Sequence, residues 1–410
     1  MRAPYIDNKD AKLCTGCSAC AYACPTGAIA MGEDACGFTY PMVDEKKCIG
    51  CGKCYQACHM AEPNDLKHNG EPKAYGAYAT NKDQLMRSAS GGVATAIALH
   101  VVANGGVAYG CVAHREDVRH ERLVSPEDVD SSRGSKYVQS DISRAISQIT
   151  TDLESGAHVA FVGTPCQCAA LRRLFGKREN LLLVDLICEG VPSRRMYADF
   201  LNDLERECGE RVNDFRFRDK RKGWGTKNPT VVVQGGVSAK RQRYSFDYPY
   251  YWLFQKGLIL RDSCYACPYA CRERVGDVTV GDYWGVESMG LGYKLEELHN
   301  GISCVLVCTS RGQSVLERLG ESLKMCESSF SSIAAGNTCV NRPSRCDQKK
   351  RAEIIGEYAE KHGAGLAVSY KRNFGLEQRI WESIVACMPH SIRVIAKQTK
   401  RLLKKQSGGR

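Results

Sequence analysis

The chain has 410 residues, 23 of them cysteine, and a formal net charge of +11. Roughly two to four domains fit that length, which excludes a bare ferredoxin, and cysteines clustered at metal-ligand spacings argue against a small disulfide-stapled secreted protein. Seven of the cations lie between Arg393 and Arg410 with no acid after Glu382, leaving +4 for everything before, so the net charge marks no nucleic-acid partner.

Between Met1 and Cys14 no charged segment leads into an apolar one, and no later stretch approaches about 18 uninterrupted apolar residues, so the expected location is the cytoplasm. Two cysteine runs of one spacing come first: Cys14-x2-Cys17-x2-Cys20-x3-Cys24-Pro25, then Cys48-x2-Cys51-x2-Cys54-x3-Cys58. A [4Fe-4S] cube takes thiolates at its corners; a tight loop presents three of them and a distant cysteine closes the cage. In two-cluster ferredoxins the last cysteine of each run serves the other cluster. Cys14, Cys17, Cys20 and Cys58 are therefore expected to hold one cube, and Cys24, Cys48, Cys51 and Cys54 its partner. A zinc reading must explain two matching runs, which is not how four-cysteine ribbons are spaced. His59 stands where the first run has Pro25, but neither is a ligand, and the assignment survives. Cys36, midway between the runs, reads as a small packed residue in a connecting hairpin.

A polar connector from Ala61 to Lys73, containing Pro63, Asn64, Asn69, Gly70 and Pro72, ends this module. The texture then alternates. Strands are predicted near Ala74 to Thr80, Gly106 to Val112, Ala157 to Val162 and Leu181 to Cys188, with helices near Ser90 to Ala103, Asp141 to Glu154, Pro165 to Phe175 and Arg194 to Cys208. That order predicts an α/β layer structure. A more β-rich region follows, with strands near Asn213 to Arg218, Thr230 to Gln234, Val275 to Val280 and Ile302 to Cys308, before a largely helical, polar end.

Four patterns lie in or beside turns: Ser90-Gly91-Gly92-Val93-Ala94-Thr95, Arg133-Gly134-Ser135-Lys136-Tyr137, Gly163-Thr164-Pro165-Cys166-Gln167 and Cys188-Glu189-Gly190-Val191-Pro192-Ser193. In the third, Thr164 reads as a helix N-cap, Pro165 as the first helical residue and Gln167 as the partner in a capping box. Cys166 then sits in the first turn, where the helix end is expected to lower its pKa and favour the thiolate. Cys188 follows the next strand; if the two strands are neighbours, both thiols emerge at one sheet edge, where ligand crevices form. Ser263 to Cys271 adds Cys264-x2-Cys267 and a further Cys271. Five cysteines compete for the four corners of one more cube, and Cys166, Cys188, Cys264 and Cys267 are preferred, with Cys271 in reserve. Cys168 faces elsewhere on its helix and reads as packing, or with Cys166 as a redox dithiol.

The stretch Phe215-Arg216-Phe217-Arg218, followed by Lys220, Arg221, Lys222 and Trp224, reads either as a half-buried strand or as a positive rim for an acidic group. Asp277 and Asp282 either orient a ligand or cap turns. The basic tail, with Ile392, Val394, Ile395, Leu402 and Leu403 among its cations, reads as a solvated terminus or as a short amphipathic helix meeting an anionic membrane or partner.

From about Pro72 to Gly320 these pieces resemble the coenzyme F420 hydrogenase/dehydrogenase beta-subunit family, through SGGVAT, RGSKYVQSD, FVGTPCQ, LICEGVPS, FRFRDKRKGW and SCYACPYACRERVGDVTVGDYWG. With the cysteine module in front, the chain looks like the fused members of that family. The resemblance implies a mixed fold: a bacterial-type two-cluster ferredoxin domain over 1-62, an α/β domain with an FAD site over 74-190, a further domain with a third [4Fe-4S] cluster over 191-325, and a helical basic extension over 326-410. It implies electron exchange between FAD and the clusters, with reduced coenzyme F420 or another small redox compound as substrate and a ferredoxin or other redox protein as partner. Ser90, Gly91, Gly92, Lys136, Gly163 and Thr164 are the expected FAD contacts, and the GTPC, CEG and C-x2-C cysteines the expected ligands of the third cube. A reading of a different class is an electron-transfer subunit whose body only docks another enzyme. No acid or base is assigned.

Overall fold

The computed structural model describes residues 11–220, 223–225, 228–233, 236–237, 244–388 and 392. Its N-terminal module has two short helical turns, Ala19–Tyr22 and Lys53–Gln56, each entered from a left-handed residue, Ser18 and Gly52. Between them β1 (Ile29–Glu33) and β2 (Thr39–Val43) form an antiparallel hairpin in which Ile29 opposes Val43. Cys36 lies in its loop, buried against the body, and packs as expected.

The body is organised by one sheet of eight strands. Its strands are β3 (Lys73–Ala79), β4 (Val107–His114), β5 (Asp117–Leu123), β6 (Val159–Gly163) and β7 (Leu181–Leu186). After a separate antiparallel sheet of β8 (Val212–Asp219), β9 (Asn228–Val233) and β10 (Gly236–Val237), the chain returns with β11 (Val278–Asp282), β12 (Ser303–Val307) and β13 (Leu323–Ser328). The order is β13-β3-β12-β11-β7-β6-β4-β5. Strands β3, β11, β7, β6 and β4 run parallel to one another, while β12, β13 and β5 run against them. The sheet thus draws strands from both sides of residue 190, and β13 crosses residue 325.

Central strands such as Leu181–Leu186 are continuous apolar runs because both faces are covered. Phe161, Leu181 and Leu183 meet the helices Ser143–Glu154 and Pro165–Phe175 on one face, while Ala160, Leu182 and Val184 meet Val93–Ala103 and Ser310–Leu319 on the other. The edge strands β5 and β13 carry Arg119, His120, Glu121 and Lys324, the charge that blunts an edge and also hides it from a reading by hydrophobic pattern. Behind the sheet, the helices Arg194–Cys208 and Pro249–Gln255 close an aromatic core of Phe200, Phe215, Phe217, Tyr248, Tyr250 and Trp252. Phe38 of the module enters the same core, so module and body share buried surface.

Parallel strands β6, β7 and β11 end at one edge, bringing together Gly163, Cys188 and Asp282, with the start of β12 alongside.

Candidate metal centres

The structure gathers the thiols of Cys14, Cys17, Cys20 and Cys58. Burial pushes the Cys17 thiol up to about 12 against a backbone N–H from Ala19, and neighbouring Cys14, Cys58 and Cys166 add to the rise. Cys20 is raised by burial and then by Cys17, Cys14 and Cys58. Thiolates gathered this closely would repel one another, and a cationic group such as iron between them would relieve that repulsion. The Gly16 N–H lies 3.4 Å from Cys14 Sγ, a donor to the ligand sulfur.

The second group, Cys24, Cys48, Cys51 and Cys54, lines one cavity with Pro25, Thr26, Ala28, Ile29, Val43 and Ile49. All of these belong to the module, and Cys51 is exposed. Burial would raise Cys24, but hydrogen bonds from the Thr26 hydroxyl and the Ala28 N–H, 3.3 Å away, outweigh it and lower its pKa. Cys58 thus lies with the first group and Cys24 with the second.

In the body, Cys166, Cys188, Cys264 and Cys267 form a third group. Cys188 is raised well above the usual thiol range by burial, then by Cys264, Cys166 and Cys267. Burial likewise pushes Cys264 and Cys267 up to about 12 each. The capping box at Thr164 and Gln167 is present, but the expected low pKa of Cys166 is not: its thiol is raised, because burial outweighs the Thr164 hydroxyl at 3.2 Å and the helix N–H groups. Gly190 is required by close approach. At φ +115° its Cβ position lies 2.9 Å from Cys264 Cβ, so only glycine lets the CEG turn reach the C-x2-C segment.

Cys271 stands apart. Its thiol lies 3.3 Å from the Pro268 carbonyl and 3.1 Å from that of Glu273. Cys168 is fully buried, with its Sγ 3.7 Å from the Val184 carbonyl, and serves as packing. Among the described residues no three His, Cys, Asp or Glu side chains close round a single ion; the cysteine groups are defined by their mutual electrostatics.

The first and third groups are neighbours. Cys166 raises Cys17, and Tyr269 feels Cys166, Cys267, Cys17 and Cys58 together. Arg261, 1% exposed, binds the module to the body here: its guanidinium donates to the Cys14 carbonyl at 2.6 Å, the Thr39 carbonyl at 2.7 Å and Gln139 Oε1 at 3.1 Å. Its charge also lowers Cys14, Cys166 and Cys264. No motif marks Arg261 in the sequence.

Several side chains offered to a cofactor are engaged by the protein. Ser90 Oγ donates to the Ile302 carbonyl at 2.8 Å, and the Gly91 N–H to Ser303 Oγ at 2.9 Å. A Cβ on Gly91 would lie 2.2 Å from the Ala77 carbonyl oxygen, so this glycine lets the loop lie on the sheet. Lys136 Nζ donates to the carbonyls of Ser132 and Arg133, each at 2.8 Å. Gly163 and Thr164 stand beside Cys166. Arg133, in the same motif as Lys136, has a buried Nη1 without a hydrogen-bond partner, and burial, then the charge of Arg87, pulls its pKa down. Its Nε lies 2.7 Å from Asp130 Oδ1, so one carboxylate already faces the guanidinium.

Arg218 turns inward and forms a two-point pair with Asp282, at 2.8 and 3.0 Å, over the Trp284 ring. Trp224 Nε1 donates to the same carboxylate at 2.7 Å. Lys220, 4% exposed, donates to the carbonyls of Leu85, Ser90 and Asn300. Arg218 and Lys220 are thus engaged inside the protein and Arg216 is exposed, while Arg221 and Lys222 lie outside the described residues. Asp277 accepts from the Leu183 N–H and the Thr309 hydroxyl, each at 2.9 Å, and holds the sheet.

The model of the 4Fe-4S dicluster domain matches residues 13–61. Those of coenzyme F420 hydrogenase/dehydrogenase, beta subunit, match residues 74–147 for the N-terminal part and 156–332 for the C terminus. No curated protein matches the sequence. Among solved structures, a chain of the F420-reducing [NiFe] hydrogenase complex from Methanosarcina barkeri, from a xenon derivatization study, is 18% identical with a TM-score of 0.43, over 75% of this chain and 95% of that one.

Proposed function

Because this chain belongs to the coenzyme F420 hydrogenase/dehydrogenase beta subunit family and carries a 4Fe-4S dicluster domain, we propose that it is an iron-sulfur flavoprotein oxidoreductase. Its substrate is reduced coenzyme F420 or another small two-electron compound, and its partner a ferredoxin or similar redox protein. When bound, FAD exchanges electrons in pairs with the substrate while [4Fe-4S] clusters carry them singly.

The observation that carries this reading is the serial order of the three thiol groups. Cys166, Cys188, Cys264 and Cys267 lie at the sheet edge; Cys166 adjoins Cys17 of the next group; Cys24, Cys48, Cys51 and Cys54 line a cavity of the module where Cys51 is exposed. Ile49, 67% exposed beside that last group, gives a partner an apolar foothold. Burial excludes water from the first and third groups, and the Arg261 guanidinium offsets negative charge between them. The flavin belongs at the same sheet edge, with its phosphates toward the loop Ser90 to Gly92 and toward Arg133, whose Nη1 is buried without a hydrogen-bond partner while Asp130 faces its Nε. Lys136 and Gly91 act there by shaping the loops.

Iron and flavin analysis of the anaerobically reconstituted protein tests this. About twelve iron atoms and one FAD per chain are expected. About eight iron atoms would remove the third cluster, and full iron without flavin would leave a pure electron-transfer subunit.

A further inference from the structure

The helix Leu376–Cys387 meets the rest of the protein through Arg379, Ala386 and Cys387. Arg379 donates to Asp247 at 3.0 Å, Tyr244 Oη lies 3.4 Å from Cys387 Sγ, and Ala386 packs on the aromatic core. The opposite side is apolar and open: Leu376 is 74% exposed, Ile380 53%, Trp381 63% and Ile384 49%. Met388 and Ile392 extend the series at 37% and 52%. Leu376, Ile380 and Ile384 recur every four residues and stack along one side of the helix. Glu377, in the first turn, is the acid on that side.

In the sequence this face runs directly into Arg393–Arg410, with its seven cations and no acid. Water-facing apolar stripes of this extent mark interaction sites. A protein partner would have to offer both an apolar groove and an acidic surface beside it, whereas an anionic bilayer presents both at once: an acyl layer for the stripe, headgroup phosphates for the cations. Trp381 is of the type that settles at that boundary. No helix among the described residues is long and apolar enough to cross a membrane.

We infer that the chain docks on an anionic lipid surface through this helix, with the side of Leu376, Ile380, Trp381 and Ile384 inserted among the headgroups, the positive charge that follows in the sequence favouring anionic lipid. The attachment is in-plane and reversible, and it is independent of the redox assignment.

Cosedimentation of the full-length, iron-loaded protein with phosphatidylglycerol-containing vesicles and with pure phosphatidylcholine vesicles tests it. Binding to the anionic vesicles should be roughly tenfold stronger and should fall as salt is raised. Ile380→Glu with Ile384→Glu, and separately Arg401→Glu with Lys404→Glu and Lys405→Glu, should each lower it roughly tenfold, with circular dichroism and iron content unchanged. Equal or absent sedimentation with both vesicle types overturns the inference. So does a lipid-free dimer in sedimentation velocity that Ile380→Glu with Ile384→Glu dissolves, since a second copy would then cover the face.

Discussion

His59 and Tyr269, 210 positions apart, meet twice: His59 Nδ1 lies 2.7 Å from the Tyr269 hydroxyl, and that hydroxyl donates to the His59 carbonyl at 3.0 Å. One phenolic proton cannot serve both contacts, so Nδ1 carries the ring proton and donates, and Nε2 accepts from the Thr15 hydroxyl at 2.9 Å. The residue that replaces the proline of the first run is therefore a buried pin between the module and the body. It adjoins Cys58 of one thiol group, and Tyr269 follows Cys267 of another.

Removing the phenol should loosen that joint. Tyr269→Phe leaves a buried ring N–H and a carbonyl without a partner, at a cost of about 1–3 kcal/mol. Urea unfolding of the iron-loaded protein measures it, and an unchanged midpoint would show that the pin bears no strain between the parts.

The ligand contest among the body cysteines has a direct outcome. Cys271→Ser should keep the iron content of the wild type, whereas Cys166→Ser should lose about four iron atoms per chain. Loss of iron from Cys271→Ser would reverse the assignment.

Arg261→Met should release three acceptors, the Cys14 and Thr39 carbonyls and Gln139 Oε1, from a charged donor in a buried place. The loss should be about 3 kcal/mol or more. Hydrogen exchange should then rise around Cys14 and Thr39 while strands β6 and β7 stay protected. Uniform exchange across the chain would contradict a local role.

Acid sensitivity follows from His120, stacked on Phe161 at 4.6 Å with Nε2 donating to the Val162 carbonyl at 2.9 Å. Burial, only partly offset by that carbonyl, lowers its pKa from 6.5 to about 4. The unfolded chain takes up the proton first, so this stability is present above pH 6.5 and is lost as pH falls toward 4. His120→Gln should flatten the pH dependence of the urea midpoint in that window; an unchanged slope would assign it to other groups.

Much of the fold was legible because its signals are local. Apolar runs such as Leu181–Leu186 announce buried strands, and Thr164, Pro165 and Gln167 announce a helix start. Strands β5 and β13 were not, because an edge strand's charge mimics a loop. The low pKa expected for Cys166 failed because the helix end is a local feature, whereas the burial that opposes it comes from the whole assembly.

The sequence by itself determined that a 4Fe-4S dicluster module is present, because the two cysteine runs carry its spacing along the chain. The tertiary structure alone decided that Cys166 adjoins Cys17, that Cys271 turns away, and that Arg261 and the His59–Tyr269 pair join module to body. These relationships depend on side chains far apart in sequence sharing one buried space, and spacing along the chain carries no record of that.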